Sequence, residues 1–330
     1  MKPFLFEKAD SILSACEALQ GPEPTKVMAG GTDLITVLKG DILPQYPKRI
    51  IDLKSVPGLS YVRVSNEHLC IGALTTLTEI VDSKIVAEHC PALIQAAESV
   101  ATPQIRNIGT LGGNLCQDTR CWYYRYPNKL GGRILCLRKG EGYCLAAAGK
   151  NKYHAVVDAR KCFAVCPSDT ATALTALDAE LVTVGVRTGR VIPVASFYTP
   201  FGNVLNADEI VTEIRIPLPE NEMGQCFLKK AERASIDFAS VSGAVTIQLK
   251  EGICTAVRIV LGAVSYAPYR TADAENSLIG RPLTENVIRA AGERVLADAR
   301  PLRDNNYKVE IARTLVCRAI REAADRGNPT

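Results

Sequence analysis

No stretch of this sequence approaches the roughly 20 consecutive apolar residues that span a bilayer, so a membrane-spanning helix is not expected. Neither sign of charge is in large excess. The 39 basic and 35 acidic residues leave a net charge of +4, which is no electrostatic footprint for nucleic acid. The N-terminus, MKPFLFEKADSILSAC, lacks the basic, apolar, small layout of an export signal, so a cytoplasmic location is expected. A signal on a partner subunit would export a folded assembly without leaving a trace in this chain. Internal repeats and low-complexity segments are missing. So are two nucleotide fingerprints: no GxGxxG follows a strand with an acidic residue about 20 positions on, and no P-loop occurs, so neither Rossmann nor P-loop binding is supported. There is also no CxxC, the paired element of an ordinary zinc ribbon.

What is present is a chain of 330 residues, 47% hydrophobic and 22% charged, long enough for two domains with a sizeable core. Its unusual feature is twelve cysteines, six of which (116, 121, 136, 144, 162 and 166) fall within 51 residues. Without an export signal, a clustered set is more often metal-binding or catalytic than a disulfide framework.

Periodicity predicts a helix over 11–19, with Asp10 or Ser11 as its cap, then a strand over 25–29 running into Gly30-Gly31-Thr32-Asp33-Leu34. Strands are expected at 49–53, 61–64 and 69–71, one helix at about 76–89 and another over 92–101. From 117 to about 161 no period of 2 or 3.6 persists, and a structureless stretch of that length needs something to hold it. Pattern resumes with a helix over 170–177 and a hairpin pairing 181–184 with 190–193. After a boundary near 217–224 come a hairpin over 245–261 and helices at about 284–298 and 307–325. The last carries an apolar stripe of Ala312, Leu315, Val316, Ala319, Ile320 and Ala323, and strands followed by helices indicate an α+β module.

Two glycine turns, Ala29 to Asp33 and Thr110 to Asn114, suit phosphate, because a glycine lets backbone N–H groups approach an anion closely. Taken alone, each reads more readily as a plain tight turn. The cysteine spacing is Cys116-x4-Cys121-x14-Cys136-x7-Cys144-x17-Cys162-x3-Cys166. Thiolates in such an irregular loop suit zinc or an iron–sulfur cluster, and scattered buried thiols are the plain alternative.

Taken together, MAGGTDL (28–34), ATPQIRNIGTLGGNL (101–115), PSDTATALTALDAEL (167–181) and FLKKAERASIDFASVSGAV (227–245) resemble the FAD-binding, medium subunit of the molybdenum hydroxylase and xanthine dehydrogenase family. The likeness spans nearly the whole chain. It implies an α+β fold: a two-lobed FAD-binding domain of the vanillyl-alcohol-oxidase/PCMH type over 1–218, with lobes 1–56 and 57–218, then a C-terminal α+β domain over 219–330 of the CO dehydrogenase flavoprotein type. By motif, Lys26, Val27, Met28, Ala29, Gly30, Gly31, Thr32, Asp33 and Leu34 would wrap the FAD pyrophosphate with backbone amides. Thr102, Gly109, Thr110, Gly112, Gly113 and Asn114 would form a second wall, with Asp169 near the ribityl or flavin edge and Lys229 near the isoalloxazine.

A subset of the family carries a [4Fe–4S] cluster in an insert loop, matched here by about 117–163. NLCQDTRC (114–121) looks like the start of that loop in 4-hydroxybenzoyl-CoA reductase, whose last ligand would fall near Tyr153, which cannot serve. The bacterial aldehyde oxidoreductase type looks to have cysteines matching Cys121, Cys136, Cys144 and Cys162, and these four are the expected ligands, with Cys116 or Cys166 as substitutes. His154 is expected to be a hydrogen-bonded loop histidine, and Trp122 with its neighbouring tyrosines to shield the cluster.

The resemblance implies an oxidoreductase subunit for electron transfer, with no catalytic acid or base of its own. A molybdopterin-binding subunit would carry the substrate chemistry and a small subunit two [2Fe–2S] clusters, in a heterotrimer or a dimer of heterotrimers. FAD and the [4Fe–4S] cluster would then connect these to an external carrier, NAD, ferredoxin or a quinone. The rival readings are a zinc-stapled interaction protein and a standalone FAD oxidase.

Overall fold

The computed structural model describes residues 1–218 and 223–327. The expected boundary at 218/219 abuts residues 219–222, so its C-terminal side lies outside the described residues.

The N-terminal lobe is a parallel three-stranded sheet, β1 (Leu5–Lys8), β2 (Thr25–Met28) and β3 (Arg49–Asp52), in the order β1-β3-β2. Helix α1 (Ile12–Gln20) joins the first two strands and α2 (Leu34–Gly40) the next two. Ser11 is the cap of α1 and exchanges hydrogen bonds with Ser14, while Ala15 and Cys16 are buried against the sheet.

The second lobe is an antiparallel sheet built from β4 (Val62–Ser65), β5 (His68–Gly72), β6 (Glu180–Val184), β7 (Gly189–Pro193) and a later strand, Ile210–Pro217. A small ribbon, β8 (Tyr198–Thr199) with β9 (Gly202–Asn203), precedes that last strand, β10, which lies between β5 and β6. The single helix expected over 76–89 is instead two, α3 (Leu77–Val81) and α4 (Lys84–His89). Ser83 breaks it: its side chain accepts from the Val86 N–H and starts a new helix. Helix α5 (Pro91–Glu98) opens with proline at its first position, where no N–H is required. Short helices α6 (Pro103–Arg106), α7 (Leu111–Cys116) and α8 (Trp122–Arg125) lead into the cysteine-rich segment. That segment holds only α8 and two single 3-10 turns, Leu137–Lys139 and Leu145–Ala147, before α9 (Asp169–Ala176).

The third sheet runs β11 (Gly224–Lys230), β12 (Val241–Lys250), β13 (Ile253–Gly262) and β14 (Tyr269–Arg270), all antiparallel. Helices α10 (Ala272–Leu278), α11 (Glu285–Arg294) and α12 (Tyr307–Arg326) complete it. The expected stripe of α12 is buried, and all of it but Leu315 packs with Cys226, Val245 and Ile259 on one sheet face. On the other face Phe227, Ala244 and Val260 meet Ala92 and Ala96 of α5 and Ala173 and Ala176 of α9. Small side chains on both helices let them approach the sheet closely, so the C-terminal sheet is fixed to the second lobe. No helix among the described residues is long and apolar enough to cross a membrane.

Candidate functional site

Strand β2 ends by delivering the first glycine turn against the second lobe. Lys26, Val27 and Met28 are paired in register with β3, so the turn proper starts at Ala29. Gly31 sits at φ +72°, a left-handed conformation that glycine adopts without cost. Among the described residues, the N–H groups of Ala29, Gly30, Gly31, Thr32 and Asp33 donate to no backbone carbonyl. A run of free amides at the end of a parallel strand is an arrangement that can accept an anion.

The second glycine segment, about 80 residues later, is packed directly against the first. A Cβ built on Gly30 would lie 2.1 Å from the carbonyl oxygen of Ile108, and one on Gly109 would lie 3.8 Å from Thr32 Oγ1. Here, however, the amides are engaged. Those of Gly109, Leu111 and Gly112 donate to Ile105, Thr75 and Ala73 at 2.7, 2.9 and 2.9 Å, and those of Gly113 and Asn114 to the side chain and carbonyl of Thr110. The two turns are therefore not equivalent: one presents amides, the other a closely packed wall. Asn114 Oδ1 accepts from Ser168 Oγ and Thr170 Oγ1 at 2.6 and 2.7 Å, tying that wall to the start of α9.

Asp169 is buried at the first position of α9, and its Oδ2 is 2.8 Å from Lys229 Nζ. Burial raises the carboxyl above its ordinary pKa, and Lys229 opposes that rise. Lys229 also donates to the Ser99 carbonyl at 2.8 Å, so these two expected flavin-edge residues satisfy one another. Thr102 precedes α6 beside Ala101, whose carbonyl accepts from Ile236 N at 3.1 Å. Ile236 holds φ +67°, a strained conformation for a branched residue, and with Ile108 and Phe238 it exposes apolar surface. Sequence reasoning did not single these three out, because exposed apolar residues are marked only by their place in the fold.

Asp33 does something the glycine motif does not announce. Its Oδ1 is shared by the guanidinium groups of Arg120 and Arg125, the latter at 2.8 Å, and its Oδ2 accepts from Asp118 N at 2.8 Å. Arg125 also donates to the carbonyls of Thr119 and Asp118. One carboxylate thus ties the amide-bearing turn to the root of the cysteine-rich segment.

Cys121, Cys136, Cys144 and Cys162 line one small pocket, together with Ala146 and Ala164. Cys116 and Cys166 do not line it: Cys116 is exposed at the end of α7, and Cys166 is buried in the core of the second lobe. Each of the first three ligand candidates directly precedes a helical turn. Burial pushes the Cys121 thiol up to about 11, opposed by hydrogen bonds from the backbone of Tyr124 and Tyr123. Such N–H groups would favour a thiolate held there. No group of three or more His, Cys, Asp or Glu side chains among the described residues is spaced for a single metal ion. A tetrahedral zinc, with bonds of about 2.3 Å, would draw its sulfurs to roughly 3.8 Å from one another. A four-iron cluster would take one thiolate on each iron, so four cysteines lining a shared pocket are a donor set that fits such a group.

His154 is buried, and its Nε2 lies 3.2 Å from Cys121 Sγ. Burial, with the nearby Lys308 charge, pushes its pKa down to about 4, so the ring is neutral near pH 7. It packs beside Trp122 and Tyr123, at centroid distances of 5.8 and 6.0 Å.

Comparison with known proteins places the chain. The family described as "FAD binding domain in molybdopterin dehydrogenase" matches residues 2–219, and "CO dehydrogenase flavoprotein C-terminal domain" matches 227–323. The aldehyde oxidoreductase FAD-binding subunit of Escherichia coli is 32% identical over 98% of this chain and 99% of its own length. The nicotinate dehydrogenase FAD-subunit of Eubacterium barkeri is 30% identical over 81% of this chain and 76% of its own. Among solved structures, carbon monoxide dehydrogenase from Hydrogenophaga pseudoflava superposes with a TM-score of 0.78 at 25% identity, covering 98% of both chains.

Proposed function

The chain belongs to the FAD-binding subunits of the molybdopterin dehydrogenases, and from that membership we propose that it is the electron-transfer subunit of a molybdenum hydroxylase complex carrying a [4Fe–4S] cluster beside its FAD. Its partners would be a molybdopterin-binding catalytic subunit and a small [2Fe–2S] subunit, in a cytoplasmic assembly. When bound, FAD and the cluster supply electron transfer between the partner's [2Fe–2S] clusters and an external carrier such as NAD, ferredoxin or a quinone.

The protein's own contribution is to bind and orient. The free amides of Ala29 to Asp33 would hold the pyrophosphate, and the Gly109–Asn114 wall would close the other side. Asp169 and Lys229 would meet the flavin end as a mutually neutralised pair. Cys121, Cys136, Cys144 and Cys162 would hold the cluster, with Tyr123 and Tyr124, which line the same pocket, excluding water; Trp122 is exposed outside it. The division into a FAD-binding unit over 1–218 and a C-terminal unit over 219–330 belongs to the same reading.

The observation that carries it is the convergence of four cysteines, spread over 42 residues, on one pocket whose root is tied by Asp33 to the amide-bearing turn. Cys136→Ser is the test. The full chain, matured anaerobically with iron and sulfide, is expected to lose most of its iron in that variant and keep its flavin. Iron content equal to the unsubstituted chain would refute the ligand set.

A further inference from the structure

His154 stands behind Cys121, not in the pocket that the four cysteines line. A ligand would face the pocket; this ring instead reaches the sulfur from outside, 3.2 Å away through Nε2. Its position is held from the C-terminal domain. The carbonyl of His154 accepts from Asn305 Nδ2 at 3.1 Å and from Lys308 Nζ at 3.0 Å, and Lys308 is fully buried between this carbonyl and that of Ala263. A buried lysine at the N-terminal end of α12, which carries a desolvation cost, is thus committed to two carbonyls, one of them that of His154.

The other ring nitrogen is informative. His154 Nδ1 is buried and has no hydrogen-bond partner. A sulfur bonded to iron has no proton to give, so the proton between the two groups must sit on Nε2. Nδ1 is then a bare lone pair, and proteins tolerate an unpaired buried acceptor more readily than an unpaired buried N–H. The orphaned atom and the short contact agree on one tautomer.

We propose that His154 is a positioning residue for electron transfer: it donates Nε2–H to the Cys121 sulfur and thereby raises the reduction potential of the cluster held there. The reduced cluster carries one more negative charge than the oxidised one, and a donor at a ligand sulfur stabilises that extra charge. Because Asn305 and Lys308 hold the histidine, the C-terminal domain sets the donor's placement although it supplies no ligand. The inference rests on the reading of the four cysteines as cluster ligands.

The test compares the unsubstituted full chain with His154→Phe and His154→Gln, each loaded with FAD and cluster. An anaerobic redox titration follows the cluster by electron paramagnetic resonance and the flavin by absorption. His154→Phe is expected to keep its iron and its flavin potential. Its cluster reduction equilibrium should move about tenfold toward the oxidised state, about 59 mV for one electron. His154→Gln, which keeps a side-chain N–H, should recover most of that shift. An unchanged cluster potential in His154→Phe at full iron content would overturn the proposal. So would loss of iron from both variants, which would make His154 a ligand or an element of the fold. Absence of iron from the unsubstituted chain would overturn the cluster reading itself, a result visible before any variant is compared.

Discussion

Replacing Asp33 with alanine removes the one carboxylate that Arg120, Arg125 and the Asp118 amide share. Its side chain is 17% exposed, and those of the two arginines are 25% and 13% exposed, so the group is largely shielded from water. Removing one partner from a shielded ion pair costs about 3–5 kcal/mol, because the remaining charge stays uncompensated. The lower end applies, since Arg125 keeps its bonds to the Thr119 and Asp118 carbonyls. About 3 kcal/mol corresponds to roughly a 150-fold rise in the equilibrium for local opening of the 118–125 segment. Limited trypsin digestion of the full chain, followed by mass spectrometry, reads this directly at Arg120, Arg125 and Lys129. When opening and closing outpace cleavage, the rate tracks the open population. Cleavage there should accelerate by about two orders of magnitude in Asp33→Ala and by less in Asp33→Asn, which keeps an acceptor. A change of threefold or less in Asp33→Ala would refute the role given to this carboxylate.

Gly30→Ala places a Cβ 2.1 Å from a backbone oxygen that cannot rotate away, so the two glycine segments must part; FAD affinity, measured by flavin fluorescence, should fall by two orders of magnitude or more. Lys229→Met leaves the buried Asp169 unpaired and should cost about 3–5 kcal/mol in denaturant unfolding, part of which Asp169→Asn in the same chain restores. Glu209, bonded to Arg190 and Thr183, has its pKa lowered to about 2 from 4.5. Its contribution is therefore complete above pH 4.5 and lost as pH falls toward 2, and Glu209→Gln should flatten acid unfolding within that window. Iodoacetamide at pH 8 should spare Cys90 and Cys226, whose thiols burial pushes to about 12, and should label Cys144 and Cys162 only in chain stripped of iron.

Elements with an uninterrupted period were legible in the sequence. The alternation of Val245, Ile247 and Leu249 marks β12, because these three pack on the sheet face that meets α12, and the buried stripe from Ala312 to Ala323 marks α12 itself. The break between α3 and α4 was not, since Ser83 is both an ordinary helix residue and a helix cap, and only the tertiary path selects the second. Helix α2 escaped as well: Ile35, Thr36 and Val37 are branched residues that favour strands when read alone. At the candidate site, the two glycine segments were legible but not their asymmetry, because which amides remain free depends on partners such as Thr75 and Ala73 in other elements. Likewise, cysteine spacing raised the question of metal without choosing among six thiols. The fold brings four of them to one pocket and leaves Cys116 and Cys166 outside it. The side-chain role of Asp33 joins residues about 90 positions apart, and no local pattern encodes that.

The most direct test of the FAD and cluster reading is an anaerobic absorption spectrum of the purified chain, before and after dithionite, with iron and zinc assayed on the same sample. Flavin bands over a broad, bleachable iron–sulfur shoulder, with about four irons per chain and no zinc, are expected. Flavin bands without iron would contradict the cluster while leaving the family intact, and a colourless chain carrying zinc would contradict electron transfer altogether.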